Sequence, residues 1–505
     1  MKVAVIDVGF NSLKMVKYNV EPSGFAKVYG QLGVMAKLGD GLDKTGYLGK
    51  EPISRTIEAI RLCREAATLD SIKHVLLVGT SPIRDAANRE EFLKLVEDET
   101  GLKMRVLTGN EEGLYGFLGA ERSVGAPTAL FFDLGGGSLQ LTYAERFRIR
   151  RTISLPLGAL RLTEMYAGKD GEYSRKNRER MGKRITQLLP SRRELGLDSE
   201  ALLVGTGGTV RAMARFAQEA SDYPLDKIHN YALDYELAQQ MSREFFRMRV
   251  DELDRLDAIG ENRSGTIAAG ALVVRLLMKR LGFREMTVST HGLRDGILAE
   301  FLERGVRSSL GIAQLEELER MMSRDDSAPR SASGGELAEC LERNGVIDAR
   351  QESLLLTALD RGRSQDSAQA HPGSLFGILM SEDLPMRHGD QMFMAMSLVK
   401  ARRPRTANWH IRRYGDVVTR EDLKSVKKMA AALRLMEILD RSGAQVKVSY
   451  SGGLRISVME SEGAFPLGLA KNAALGLSAA IKRPVAIMVS AKERERQAEF
   501  ARAES

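Results

Sequence analysis

Ala4-Val5-Ile6-Asp7-Val8-Gly9-Phe10-Asn11-Ser12-Leu13 and Leu130-Phe131-Phe132-Asp133-Leu134-Gly135-Gly136-Gly137-Ser138-Leu139 are two copies of one pattern. In each copy a short apolar run ends at an aspartate, and glycine, serine and leucine then recur in register. Apolar β-branched and aromatic residues read as a strand, and the glycine permits a tight turn into a second strand. Such a turn presents backbone N–H groups with a serine hydroxyl beside them, which suits a phosphate oxygen. An aspartate at its lip can orient the waters of a hydrated divalent cation. One such hairpin could be decorative; two matching copies indicate a duplicated phosphate cradle.

Strand-like and helical runs alternate between and after the hairpins, which indicates an α/β chain. Val75 to Gly79 and Met104 to Leu107 read as strands, and helical periodicity covers 52–68, 89–99, 110–123, 175–189 and 293–304. A third glycine turn, Gly205-Thr206-Gly207-Gly208-Thr209, follows the strand Leu202-Leu203-Val204 and leads into a helix. Glycines there aim free N–H groups and the positive end of the helix at an anion.

At 505 residues the chain exceeds what one core serves, so two or three domains are expected. With 43% hydrophobic and 28% charged residues, it has the makeup of a packed enzyme. Cys63 and Cys340 lie far apart without C-x-x-C spacing, which argues against a disulfide framework or structural zinc and suggests buried thiols in a reducing cytoplasm. No apolar run is long enough to span a bilayer. The net charge of +8 suits polyanionic partners. Two basic clusters stand out: Arg175 to Arg184, and Lys400, Arg402, Arg403, Arg405, Arg412 and Arg413 in a stretch without a carboxylate. For each, a solvated helix face and an anion site are about equally compatible with the charge pattern.

Residues 1–305 resemble the exopolyphosphatase and guanosine pentaphosphate phosphohydrolase family of the actin-like ATPase superfamily. The matching motifs are the two hairpins, Thr80 to Ala86, Glu111-Glu112-Gly113, Leu155 to Glu164, Gly205 to Thr209 and His291 to Gly296. The resemblance implies two actin-like (ribonuclease H-like) lobes, 1–124 and 125–309, around a phosphate-binding cleft. It assigns the general base to Glu112 and phosphate contacts to Gly9, Asn11, Ser12, Thr80, Ser81, Gly135, Gly136, Gly137, Ser138, Gly207, Gly208 and Thr209. Mg2+ or another divalent cation is expected at Asp7 and Asp133, and Arg84 is the candidate cation for the transferred phosphate. The ordinary alternatives are a helix N-terminal charge for Glu112 and a surface ion pair for Arg84. Phe10 replaces a small residue, so its ring either narrows the cleft or enters the core. Gly265 stands where many relatives carry aspartate.

Residues 310–505 form the third expected segment, a mainly helical module ending in a small α+β portion from Gln445 to Val489. Ser323 to Gly335 reads as a boundary loop and Lys492 to Ser505 as a fraying helix. The module faintly resembles HD-type phosphohydrolases, but Leu359 stands where the histidine of the His-Asp pair would be, beside Asp360. No second hydrolase centre is expected there.

These readings point to an exopolyphosphatase with inorganic polyphosphate as substrate, its distal chain held by Lys400, Arg402, Arg403 and Arg405. Guanosine pentaphosphate is the alternative substrate. A sugar or acid kinase and a non-enzymatic polyphosphate or nucleotide sensor are the rivals from other classes. A homodimer in the cytoplasm is expected, with neither a specific nucleic acid nor a membrane as partner.

Overall fold

The computed structural model describes the chain except for residues 22–25, 169–170, 261–262, 310–331, 365–373, 462–464 and 491–505, and except for the side chains of 304–309, 332, 364, 374 and 405–406. The expected fraying helix and most of the boundary loop lie outside the described residues. The chain divides into two compact units, Met1–Gly311 and Ile312–Ser505.

The first unit is built on two sheets with the same core topology. One has the order β3-β2-β1-β4-β5, with β1 Lys2–Val8, β2 Leu13–Val20, β3 Ala26–Val34, β4 His74–Gly79 and β5 Arg105–Val106. The other has the order β10-β11-β9-β6-β7-β8, from β6 Ala129–Leu134, β7 Leu139–Glu145, β8 Arg148–Leu155, β9 Leu202–Thr206, β10 Ala232–Asp234 and β11 Glu285–Val288. In both, an antiparallel meander of three strands leads to a parallel partner: β1 runs parallel to β4, and β6 to β9. β1 and β6 are covered on both faces, which is why each reads as a continuous apolar run instead of an alternating one.

Two helices tie the sheets together. Gly109–Val124 packs Tyr115 with Val3 and Val5 of β1, and Phe117, Ala120 and Val124 with Phe131 and Ala144 of the second sheet. Leu293–Ser309 returns Ile297 and Leu298 to the β1 side. The backbones of these helices approach closely because glycine stands at both crossings: a Cβ on Gly119 would lie 2.0 Å from the Gly292 carbonyl oxygen, and one on Gly296 2.0 Å from that of Tyr115.

Among the described residues, the second unit is mainly helical between Ala332 and Arg441 and closes with a three-stranded sheet, β12 Gln445–Tyr450, β13 Leu454–Glu460 and β14 Val485–Val489, the last two bridged by the helix Leu467–Ile481. The α+β ending therefore matches its expectation. The boundary loop is shorter than expected, because Ala332-Ser333-Gly334-Gly335 forms the first turn of the helix Ala332–Arg343. That helix buries Leu337, Ala338 and Leu341, and their packing outweighs the weak helix preference of Gly334 and Gly335.

Candidate active site

The two hairpins share their hydrogen bonds as well as their sequence. Gly9 N–H donates to the Ser12 carbonyl at 3.1 Å, and Gly135 N–H to that of Ser138 at 3.0 Å. Asp7 pairs with Lys14 across one ladder and Asp133 with Gln140 across the other. The loop carbonyls are tied back. Phe10 and Asn11 accept from Gly39 and Lys37, while Gly135 and Gly136 accept from Ala159, Leu160 and Arg161 at the start of the helix Ala159–Tyr166. Among the described residues, the N–H groups of Phe10, Asn11, Ser12, Gly136, Gly137 and Ser138 have no protein acceptor. Donors of that kind, tied from behind and open in front, form an anion cradle.

The hairpins meet. A Cβ on Gly136 would lie 3.3 Å from Phe10 Cβ, and one on Gly137 2.4 Å from Ser81 Oγ and 2.5 Å from the Phe10 ring, so glycine is required for this approach. Phe10 is 2% exposed, packs with the core of the first sheet and lies under the Arg161 guanidinium at 5.5 Å. Of the two orientations open to it in sequence, the ring takes the inward one. The third turn extends the duplication, since Thr80-Ser81 after β4 and Gly207-Gly208-Thr209 after β9 occupy equivalent places. Gly207 has φ of +106°, and a Cβ there would press on the Leu134 carbonyl at 2.5 Å.

Asp7, Asp133, Glu112 and all the expected phosphate-contact residues line one cleft of about 260 Å3. Glu112 enters it because its neighbour performs the capping. The helix starts at Gly109, Thr108 and Glu111 form a capping box, and Glu112 is left free to turn inward. Gly113 lets the helix lie against the second sheet, where a Cβ would meet Thr152 Cγ2 at 2.5 Å. Glu112 is buried; its carboxylate contacts Arg84 and accepts from Gln140 Nε2 at 3.2 Å. Burial pushes its pKa up to about 7, Arg84 opposes that, and Asp7 and Asp133 reinforce it. A carboxylate poised there can take a proton from water near neutral pH.

Arg84 is not placed among the cleft-lining residues. It stands behind Glu112, donating to the Leu107 carbonyl at 2.9 Å and facing Asp85 Oδ1 at 3.5 Å. Asp85 in turn pairs with Arg161 at 2.9 Å, and Arg161 with Asp43 at 3.0 Å. An ion-pair chain thus runs from the second lobe to the carboxylate.

The cleft's cations are ones the sequence reading passed over: Lys14, Arg211, Arg263 and Arg294. Burial together with the arginines lowers the Lys14 pKa to about 7, and burial and the same crowding lower Arg211 to about 10. Arg211 and Arg294 stand near the starts of their helices and Arg263 is an N-cap, places where the helix dipole disfavours a cation. That signal was available in the sequence. Gly265 opens onto space, and the neighbouring Arg263 supplies the charge that reaches the cleft.

Asp7 and Asp133 are raised above the usual carboxylate range by burial, with Arg294 opposing for Asp7 and Arg211 for Asp133. Asp7 faces the Arg294 guanidinium at 3.4 Å, and the two carboxylates are the hard oxygen donors that Mg2+ takes. Among the described residues no three acidic, imidazole or thiol side chains could by themselves hold a metal ion. Asp7 and Asp133 thus offer a donor set that fits a divalent cation keeping most of its waters.

In the second unit, Arg402 pairs with Glu437 at 2.7 Å and donates to the Gly362 carbonyl at 3.0 Å, and Lys400 donates to Asn408 at 3.1 Å. Arg403 is exposed, and the Arg405 side chain lies outside the described residues. Cys63 and Cys340 are buried free thiols. No helix among the described residues is long and apolar enough to cross a membrane.

The family model of the Ppx/GppA phosphatase family matches residues 21–305. Exopolyphosphatase 2 of Mycobacterium tuberculosis is 30% identical over 312 residues, 59% of this chain and 97% of that protein. Exopolyphosphatase 1 of Mycobacterium bovis is 27% identical over 60% of this chain and 89% of its own. Among solved structures, the Ppx/GppA family member of Aquifex aeolicus superposes with a TM-score of 0.50 at 28% identity, covering 60% of this chain and 98% of that one. An exopolyphosphatase of Cytophaga hutchinsonii shares the fold, with a TM-score of 0.55 at 20% identity over 60% of this chain and 98% of its own. The family model ends at residue 305 and does not reach the second unit.

Proposed function

Because the chain belongs to the Ppx/GppA phosphatase family and is thereby a hydrolase acting on phosphoanhydride bonds, we propose that its substrate is inorganic polyphosphate, from whose end it releases orthophosphate. The observation that carries this reading is the pair of facing hairpins, six N–H groups open to one cleft with Glu112 and four cations around them. An array of that charge suits several consecutive phosphates. The terminal phosphate lies between the hairpins. A water attacks its phosphorus and passes its proton to Glu112, the bridging P–O bond breaks, and the shortened chain leaves with the bridging oxygen. Lys14, Arg211, Arg263 and Arg294 stabilise the charge that develops, and Arg84 with Gln140 holds Glu112 toward the water. Mg2+ held through waters by Asp7 and Asp133 would supply further neutralisation of the phosphate oxygens. The second unit contributes Lys400, Arg403 and Arg405 to the distal chain, and the enzyme works as a cytoplasmic homodimer.

Guanosine pentaphosphate presents the same terminal bond and is the second reading. Colorimetric phosphate release from long-chain polyphosphate, guanosine pentaphosphate and ATP, measured side by side with Mg2+, decides between them. The proposal expects the highest kcat/KM on polyphosphate; a preference for guanosine pentaphosphate overturns it in favour of the second reading.

A further inference from the structure

We propose that the second lobe carries a separate binding site for an organic phosphate, in the cavity between the helices Arg175–Leu188, Tyr235–Phe245 and Ser264–Leu281. This cavity, about 710 Å3, is larger than the catalytic cleft and shares no lining residue with it. Arg175, Arg178 and Lys183 of the basic cluster at 175–184 line it, and the proposed reaction gives them no role.

Its charge is one-sided. Arg175, Arg178, Lys183, Arg243, Arg247 and Arg275 converge on it, and the single lining carboxylate, Glu179, is paired with Arg175 at 3.0 Å. Like charges gathered from three helices repel one another, a cost that a bound anion removes. Burial and the neighbouring Arg243 lower the pKa of Arg275.

Its polar atoms await a partner. Ser242, 1% exposed, lines the cavity with an Oγ that has no hydrogen bond, and the Nε of Arg275 is likewise buried without one. Buried polar atoms in native proteins are nearly always satisfied, by a ligand or water where not by protein.

Its remaining wall is apolar and selects against a bare polyanion. Phe246, Leu272 and Leu276 form this wall, with the Arg178 guanidinium 5.8 Å from the Phe246 ring. Inorganic polyphosphate would leave that surface uncovered, whereas a nucleotide can pack its base there and give its phosphates to the arginines.

Photolabelling with 2-azido-ADP, followed by mapping of the labelled peptides, tests the site. Label is expected on 175–187, 242–247 or 272–276, displaced by ADP and not by inorganic tripolyphosphate or adenosine. Gly182 lies in the cavity wall with open space where its Cβ would be. Gly182→Leu therefore fills the cavity from a helix that leucine favours; most of the labelling should be lost with Tm maintained, while Gly182→Ala leaves room and retains it. Label confined to cleft peptides, label unaffected by Gly182→Leu, displacement by tripolyphosphate alone, or no labelling overturns the proposal.

Discussion

Replacing Arg84 by methionine should move the acid limb of the pH–rate profile and spare the alkaline rate. Arg84 contacts a Glu112 side chain that is 10% exposed, and Arg84 itself is 23% exposed, so solvent screens the pair weakly. Burial sets the Glu112 carboxyl at about 7, with Arg84 the largest influence pulling it down. The base must be ionised to accept a proton, so activity falls as pH drops through that value. An opposite charge in contact shifts a carboxyl by about 1 to 3 pH units, and its loss should carry the limb to about pH 8 to 10. At pH 7 the ionised fraction, and the rate with it, then drops about fivefold to about 500-fold, with recovery in alkaline buffer. Arg84→Lys should retain most of the parent profile. The assay is kcat and kcat/KM for phosphate release across the pH range. An Arg84→Met profile lowered equally at every pH, its acid limb unmoved, would refute the reasoning and return Arg84 to the transferred phosphate.

Gly137→Val should separate the hairpins, since its first side-chain carbon meets Ser81 and Phe10; KM should rise and kcat fall, whereas Gly135→Val, whose Cβ meets only the Ser138 carbonyl at 3.5 Å, should be milder. Unchanged steady-state constants in a folded Gly137→Val protein contradict the cradle. Exchanging Lys400, Arg403 and Arg405 together for serine should raise KM for long-chain polyphosphate, flatten its salt dependence by about one in log–log slope for every phosphate-binding cation removed, and leave tripolyphosphate hydrolysis alone. Equal effects on both substrates reject distal binding. Arg402→Ser should instead lower Tm, because stranding Glu437 costs about 3 kcal/mol; an unchanged melting curve counts against that pairing.

The duplication was legible because its cause is local: an apolar run, an aspartate and a glycine turn specify the same strand and hairpin wherever they occur. The helix at 109–124 was equally legible from its period, and the capping box at Thr108 and Glu111 explains why the second glutamate, not the first, faces the cleft. The side from which Arg84 approaches Glu112 was not legible, because it depends on the Leu107 carbonyl and Asp85 and not on proximity in sequence. Lys14, Arg211, Arg263 and Arg294 come from four separate elements, and only tertiary packing brings them together. The inward turn of Phe10 depended on Gly39 and Gly137, whose missing side chains make room for the ring.

The most direct test of the account is Glu112→Gln, which removes the charge and keeps the size. Phosphate release from polyphosphate should fall about 10²- to 10⁴-fold, while tripolyphosphate binding measured calorimetrically stays within a few-fold of the parent, because the hairpin N–H groups and the four cations are untouched. A variant that retains more than roughly a tenth of parental turnover, or one that loses binding along with turnover, would contradict Glu112 as the base.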